Sequence, residues 1–340
     1  MKIAISSLYL PAGSKIGVGH VVHHLSNELV KRGHEVTVFS QCGASDDSLY
    51  KVVQIPARQK LATFGFAWDL RGADFRGFDV LNAHGDDWFL WGKKRPRHVH
   101  TFHGSCLAEM IHSRTLTQKA RMAALAACET QSAFLGDFNT TVSENTRRYV
   151  PRIHRVIPNG VSLETFTPLP LNEKSKEPSI LFVGSMYGRK RGDLLVRAFR
   201  EQVLPQIPDA QLWGVSDPPE DGGKTGENWL GRVPLEQLRD LFARAWVFCL
   251  PSSYEGFGVP YIEAMASGTP VVASPNVGAK EVLQNGKFGA IPEDEKLGET
   301  LLHALQNESW RRETREKGLE RAQDFSWERV CAAYLETYRG

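Results

Sequence analysis

The feature that most restricts this chain is an alternation, repeated along its length, of short apolar runs with longer amphipathic segments. Residues 2–10 are apolar in nearly consecutive positions, as a strand covered on both faces is. Residues 18–31 follow with Val18, Val21, Val22, Leu25, Leu29 and Val30 on one helical stripe, and Gly33 supplies the residue that ends such a helix. Strand patterns recur at 36–39, 79–83, 99–102, 139–142 and 155–157, with one long helical stretch from about 107 to 134. Residues 168–178 are polar and bounded by proline, the composition of a linker. The alternation then restarts with strands at 180–183, 211–215, 246–250 and 270–273, and closes on an amphipathic helix at 327–338. Buried strands alternating with helices predict parallel sheets covered on both faces. Two Rossmann-like α/β domains are expected, 1–166 and 167–326, with ligands at the carboxyl ends of the strands, in the crevice where the domains face each other.

Composition narrows the partners. The chain has 340 residues, 41% of them hydrophobic, and a formal net charge of +2. That balance predicts no general affinity for nucleic acid or for membrane surfaces, with peripheral membrane contact kept open. Cys42, Cys106, Cys128, Cys249 and Cys331 form no Cys-x-x-Cys pair, so reduced thiols in a cytoplasmic protein are expected. No apolar run approaches the length that crosses a bilayer, and residues 1–8 read as a first strand rather than a signal peptide.

The sharpest motif runs from Pro251 to Val272. A strand ends at Leu250, a glycine loop follows, and Pro260 opens a helix in its first turn. The backbone N–H groups of Phe257, Gly258 and Val259 are then available to a ligand, and the helix start favours negative charge. Glu255 lies in the loop and Glu263 one turn inside the helix. Carboxylates beside a phosphate-friendly helix start would repel the phosphate itself and suit sugar hydroxyls better.

This segment resembles the Glu-x7-Glu signature of retaining GT-B glycosyltransferases, glycosyltransferase family four (glycosyl transferases group 1). Seven residues separate Glu255 from Glu263. Gly33-His-Glu-Val36, Thr101-Phe-His-Gly104, Thr141-Val-Ser-Glu144, Val156-Ile-Pro-Asn-Gly-Val161, Phe182-Val-Gly184, Leu230-Gly-Arg-Val233 and Val277-Gly-Ala-Lys-Glu-Val282 resemble family segments in family order. The resemblance implies that Glu263 binds the ribose, and that Glu255 and the amides of Gly256 to Val259 bind the transferred sugar. His103 would contact that sugar from the first domain. Arg232 and Val233 would flank the base, and Asn159 and Gly160 would line the cleft near the hinge. It also implies that helix 327–340 crosses back onto the first domain.

The diphosphate needs positive charge that strengthens as the leaving group departs. Residues 184–192 offer it, with Arg189 and Lys190 as the candidates and Arg191 as the neighbour that competes for the role. Family members often carry an Arg where Ser185 stands here. Gly17 precedes the first helix and could approach a phosphate; Ile16-Gly17 stands where the family often has two glycines.

The expected reaction is retaining transfer from a nucleoside diphosphate sugar, UDP-sugar first, to an acceptor hydroxyl in glycan, glycolipid or glycoconjugate biosynthesis. No cofactor and no metal are expected. A sugar phosphorylase of the same fold and a silent nucleotide-sugar-binding subunit are the rivals. The glycine pattern at 17–22 lacks the third glycine of a dinucleotide fingerprint. His20, His23 and His24 share a helix face, and His98, His100 and His103 cluster near a strand, but neither group shows an acidic partner in the sequence. The basic run 93–97 reads as a solvated loop, with an anionic acceptor or the membrane surface as its functional alternative. Residues 122–127 and the aromatic run 64–68 read as core. Oligomeric state is left open.

Overall fold

The structure, a computed structural model, describes residues 1–11, 17–56, 62–113 and 115–340. It divides into two compact units: 1–160 with 327–340, and 161–326.

The first unit is built on strands β1 (Lys2–Ser6), β2 (Glu35–Ser40), β3 (Lys51–Gln54), β4 (Val80–Ala83), β5 (Arg97–Phe102), β6 (Phe138–Thr141) and β7 (Arg155–Val156). They form one sheet in the order β3-β2-β1-β4-β5-β6-β7, every neighbouring pair parallel. Helices α1 (Gly17–Lys31), α2 (Ala62–Asp69), α3 (Cys106–His112) and α4 (Leu116–Leu135) come from its connections. Strand side chains alternate between faces. Ile3 and Ile5 of β1 join Val22, Leu25 and Leu29 of α1 in one core, whereas Ala4 faces Phe66, Leu70 and Phe75 in a second. The helix that ends the chain, Trp327–Arg339, adds Val330, Tyr334 and Tyr338 to the first core. Arg97 and Arg155 pin it by donating to the carbonyls of Thr337 and Ala333 at 3.3 and 3.2 Å.

The second unit has β8 (Ser179–Val183), β9 (Gln211–Val215), β10 (Glu227–Trp229), β11 (Val247–Leu250) and β12 (Val271–Ala273), all parallel, in the order β10-β9-β8-β11-β12. Ile180 to Phe182, Val247 to Leu250 and Val271 to Ala273 are fully buried, as a sheet with helices on both faces requires. Its helices are α5 (Gly192–Ala198), α6 (Leu235–Arg244), α7 (Val259–Ala266), α8 (Val277–Val282), α9 (Leu297–Gln306) and α10 (Glu308–Ala322). The closing helix of the chain is α11.

Several local expectations change. The first strand stops at Ser6, where Ser7 turns its hydroxyl onto the Tyr9 carbonyl. The long helix is two helices, because Thr115 caps a new start by accepting from the Gln118 N–H. Edge strands β3 and β10 escape sequence reading, being short and largely solvent-facing. Of the 122–127 patch only Met122 is buried, and Trp68 is exposed although Gly65, Phe66 and Ala67 beside it are core. All five cysteines are free thiols. Among the described residues, no helix is long and apolar enough to cross a membrane.

Candidate functional site

In the second unit the carboxyl ends of β8 and β11 lie side by side, and the loops that leave them carry the charged candidates. After β8, a tight turn at Gly188–Lys190 presents Arg189 and Lys190. After β11, the loop presents Glu255, only 5% exposed. Both cations meet one oxygen: Lys190 Nζ and an Arg189 guanidinium nitrogen each lie 2.8 Å from Glu255 Oε1. Arg189 also donates to the Tyr254 carbonyl at 3.0 Å, and the Ser253 N–H donates to the Arg189 carbonyl at 2.8 Å, so the two loops are stitched together. Burial pushes the Glu255 carboxyl up, but Lys190 and Arg189 more than offset this and hold it below its ordinary value. Burial lowers the Lys190 ammonium, with Glu255 pulling the other way.

Arg191 does not join them. It adopts a left-handed backbone (φ +53°) and turns its guanidinium onto the Pro251 carbonyl and, at 3.0 Å, onto Asp294, which Ser274 also holds. The alternation of three adjacent cations therefore resolves into two at Glu255 and one structural tether.

Gly258 shapes the helix start. Its φ of +99° suits glycine, and a Cβ there would lie 2.4 Å from the Tyr261 ring. Helix α7 begins at the next residue, Val259, whose N–H has no carbonyl one turn back; Pro260 has no N–H, and the Tyr261 N–H donates to the Gly258 carbonyl at 2.9 Å. Phe257 is buried, which fixes the loop from beneath. Glu263 sits inside α7, where burial pushes its carboxyl up to about 7 against the attraction of Lys190. Arg232 and Val233 follow β10 and Gly231, whose N–H donates to the Ser216 carbonyl at 3.1 Å beyond the end of β9. Glu255, Glu263, Arg189, Lys190, Arg232 and Val233 thus leave the carboxyl edge of one parallel sheet. Sequence reading missed Gly278 of α8, which lies against the backbone of Glu255 and Phe257; its signal was the family-like segment 277–282.

In the first unit His103 follows β5, and His84 follows the neighbouring strand β4. Their rings stack with centroids 5.0 Å apart, and His84 Nδ1 is 2.8 Å from His103 Nε2. A buried chain of partners sets the tautomers. Thr101 donates to Asn82 Oδ1 at 3.0 Å, so the Asn82 amide faces His84 Nε2 at 3.0 Å and the Tyr338 hydroxyl of α11 at 2.7 Å. His84 Nε2 then accepts, its Nδ1–H donates to His103, and His103 keeps its proton on Nδ1. Burial, with His100 adding to it, lowers His103 to about 3, so it stays neutral near pH 7.

Both histidine groups have the acidic partners that the sequence did not reveal. His98 Nε2 and His100 Nδ1 each lie 2.8 Å from Asp87 Oδ2, in full burial, and Ser132 donates to the other carboxylate oxygen. Burial pushes the Asp87 carboxyl up, but His100 and His98 hold it well below the carboxylate range. His23 contacts Asp47 at 3.2 Å and the Tyr50 hydroxyl at 2.9 Å. The partners lie 13 and 24 residues away in sequence, beyond the reach of local pattern. His103 belongs with His84 rather than with His98 and His100. The Asp87, His98 and His100 ligand atoms are within 4.8 Å of one another, a spacing a metal could use.

Gly17 opens α1 with free space where a Cβ would go; the tightly packed glycine is Gly19, whose Cβ would meet the Tyr9 carbonyl at 2.9 Å. Ile16 lies outside the described residues. Asn159 is buried with its Oδ1 unpartnered among the described residues, and Gly160 makes room for the Trp327 ring, 2.4 Å from a built Cβ.

Comparison with known proteins bears on the family and the fold. Residues 16–165 match the family model described as Glycosyltransferase Family 4, and residues 177–307 the one described as Glycosyl transferases group 1. The O-antigen chain mannosyltransferase B of Escherichia coli is 36% identical over 178 residues, 47% of this chain and 45% of that protein, so the match spans about half of its length. Among solved structures, the sucrose-phosphate synthase of Thermosynechococcus elongatus superposes with a TM-score of 0.80 at 22% identity, covering 99% of this chain and 98% of the other. The Anabaena protein HepE in complex with UDP-glucose gives 0.77 at 15%, covering 99% of each. Two family models that together take in most of the chain, on a fold shared along its whole length, place it: the chain belongs to glycosyltransferase family four, the glycosyl transferases group 1, with the GT-B fold.

Proposed function

We propose that this chain is a retaining glycosyltransferase that moves a sugar from a nucleoside diphosphate sugar to an acceptor hydroxyl, in the synthesis of a glycan, glycolipid or glycoconjugate. It works without a bound metal. The observation that carries the reading is the pair of cations, Arg189 and Lys190, converging on Glu255 beside the start of α7. A diphosphate entering there replaces part of Glu255's hold on the cations. Its charge is met by Arg189, Lys190 and the helix amides, and the released carboxylate turns to hydroxyls of the transferred sugar. Glu263 takes the ribose hydroxyls.

As the sugar–phosphate bond breaks, charge grows on the departing diphosphate, and fixed cations favour that state over the bound substrate. Removing one such group costs on the order of 100- to 1,000-fold in rate. The leaving phosphate accepts the acceptor's proton on the same face, which preserves the anomeric configuration. His103, neutral and with its Nδ1–H free of the His84 contact, serves as a hydrogen-bond donor rather than as an acid. UDP-sugars are preferred, in keeping with the UDP-glucose held by HepE. Guanosine diphosphate sugars are the rival, since one relative is named a mannosyltransferase.

The test is a panel of uridine, guanosine and adenosine diphosphate sugars with release of nucleoside diphosphate as readout, in excess chelator. Turnover should survive the chelator, vanish in Glu263→Ala, and fall about 100-fold or more in Lys190→Met. Arg191→Gln should lower the melting temperature and keep most of the activity. Full activity in Glu263→Ala would refute the site. Release of a sugar phosphate from inorganic phosphate would instead make the protein a phosphorylase, and binding without turnover a silent subunit.

A further inference from the structure

A cavity in the second unit lies at the opposite edge of the sheet from Glu255. It has a volume of about 430 Å³, within the range of small-ligand sites. Its wall is formed by Lys174 and Lys176 just before β8, Trp246 just before β11, Pro270 just before β12, and Arg311, Arg312 and Arg315 of α10. These strands are parallel, so the cavity faces their amino ends, whereas Arg189, Lys190 and Glu255 follow their carboxyl ends. The two places are separated by the length of the strands.

The charge there is one-sided. Five cations line the cavity against one lining carboxylate, Glu308, which is engaged by Arg312 at 2.6 Å. Among the described residues, the three inner cations donate hydrogen bonds to neutral oxygens alone. Lys174 donates to the carbonyls of Ala245 and Gly268 and to the Thr269 hydroxyl, at 2.9, 3.2 and 2.8 Å. Arg315 holds the carbonyls of Gly268 and Leu169, and Arg311 those of Ala304 and Leu305. Arg311 also lies over the Trp246 ring, 4.3 Å from its centre. Lys176, exposed, has no ion-pair partner among the described residues.

Capping explains part of this. Arg311 closes the end of α9, a place where a cation is favourable, and Arg315 ties two loops. Capping does not explain why two further cations border the same open volume, or why none of the inner three is given a carboxylate. Like charges gathered without counterions cost free energy, and more so when half-buried. Burial lowers Lys174 to about 7, with Arg315 adding to the effect, and lowers Arg311 and Arg315, with Glu308 partly offsetting it at Arg311. An anion in the cavity would relieve all of these at once.

We propose that this cavity is a binding site for a phosphate-bearing anion, separate from the donor site, with Lys176, Arg312 and the outer edges of Arg311 and Arg315 on the phosphate and Trp246, Leu171 and Pro270 against its apolar part. A soluble organic phosphate and an anionic lipid headgroup carry the same chemistry.

The experiment uses the whole chain and inorganic pyrophosphate as probe, followed by titration calorimetry at low and raised salt, with cosedimentation on phosphatidylglycerol and phosphatidylcholine vesicles alongside. The wild type should show a salt-sensitive pyrophosphate site that survives Lys190→Met. That site should weaken at least tenfold in Lys176→Gln/Arg312→Gln, which changes only exposed side chains, and in Arg311→Gln, with melting curves confirming the fold. Phosphatidylglycerol binding that the same variants lose, with phosphatidylcholine inert, would assign the headgroup as the source. The proposal is overturned if the pocket variants bind pyrophosphate and phosphatidylglycerol as the wild type does. It is equally overturned if Lys190→Met removes all pyrophosphate binding and neither vesicle binds.

Discussion

The backbone N–H of Gly278 donates to the Glu255 carbonyl at 3.1 Å, and a Cβ on Gly278 would stand 2.8 Å from that same oxygen and 2.5 Å from the Phe257 carbonyl. Helix α8 therefore reaches the loop that carries Glu255 only because position 278 has no side chain.

Gly278→Ala should push that loop off the helix, since the two closest clashing atoms are backbone oxygens and the third is the Glu255 Cβ. We expect a loss of stability on the order of 1–3 kcal/mol and a drop in nucleotide-sugar turnover of at least tenfold. Gly43→Ala, with nothing within 4 Å of the new methyl, is the control and should change neither. Thermal melts and a turnover assay on the two variants decide it; normal turnover in Gly278→Ala would mean that α8 does not set the position of Glu255.

Glu263 makes stability depend on pH. Its folded value of about 7 lies above the ordinary 4.5. An acid raised in this way favours the folded state while protonated. That contribution is complete below about 4.5 and is lost as the pH climbs through 7. Glu263→Gln keeps the shape and cannot ionise, so its stability relative to wild type should rise by on the order of 1–3 kcal/mol between pH 5 and pH 8.5. Denaturant titrations at both pH values measure the difference, and a constant gap would show that Glu263 is not held protonated.

On the proposed reading, in which His103 donates to the transferred sugar, His84 acts through the 2.8 Å contact of its Nδ1 with His103 Nε2. His84→Phe keeps a ring but removes the donated N–H, freeing His103 to change tautomer and tilt. We expect kcat to fall about tenfold with little change in the KM for the donor, while His84→Gln, which retains a donor, recovers part of the loss. A purely structural role for His84 would instead appear as a lower melting temperature with kcat unchanged.

Much of this protein was legible before its structure. Strands such as β1, β8, β11 and β12 follow from apolar runs, because a strand covered on both faces favours apolar residues, whereas β3 and β10 do not. Those two edge strands are short and mostly exposed, so burial left no imprint on them. The break between α3 and α4 was written in Thr115, a capping residue inside an otherwise helical stretch.

The sequence alone determined the two α/β halves, the loop–helix start at Gly258 and Pro260, and the spacing of Glu255 from Glu263, since each depends on residues near one another in the chain. Only the tertiary structure decided which charges meet. It sends Arg189 and Lys190 to Glu255 and their neighbour Arg191 to Asp294, gives Asp87 to His98 and His100, and brings Tyr338 to Asn82 across 256 positions. Such pairings depend on strand order and on one left-handed residue, Arg191, that reverses the direction of a side chain. Periodicity reports which face of an element is buried; it carries no information about what the neighbouring element will place against it.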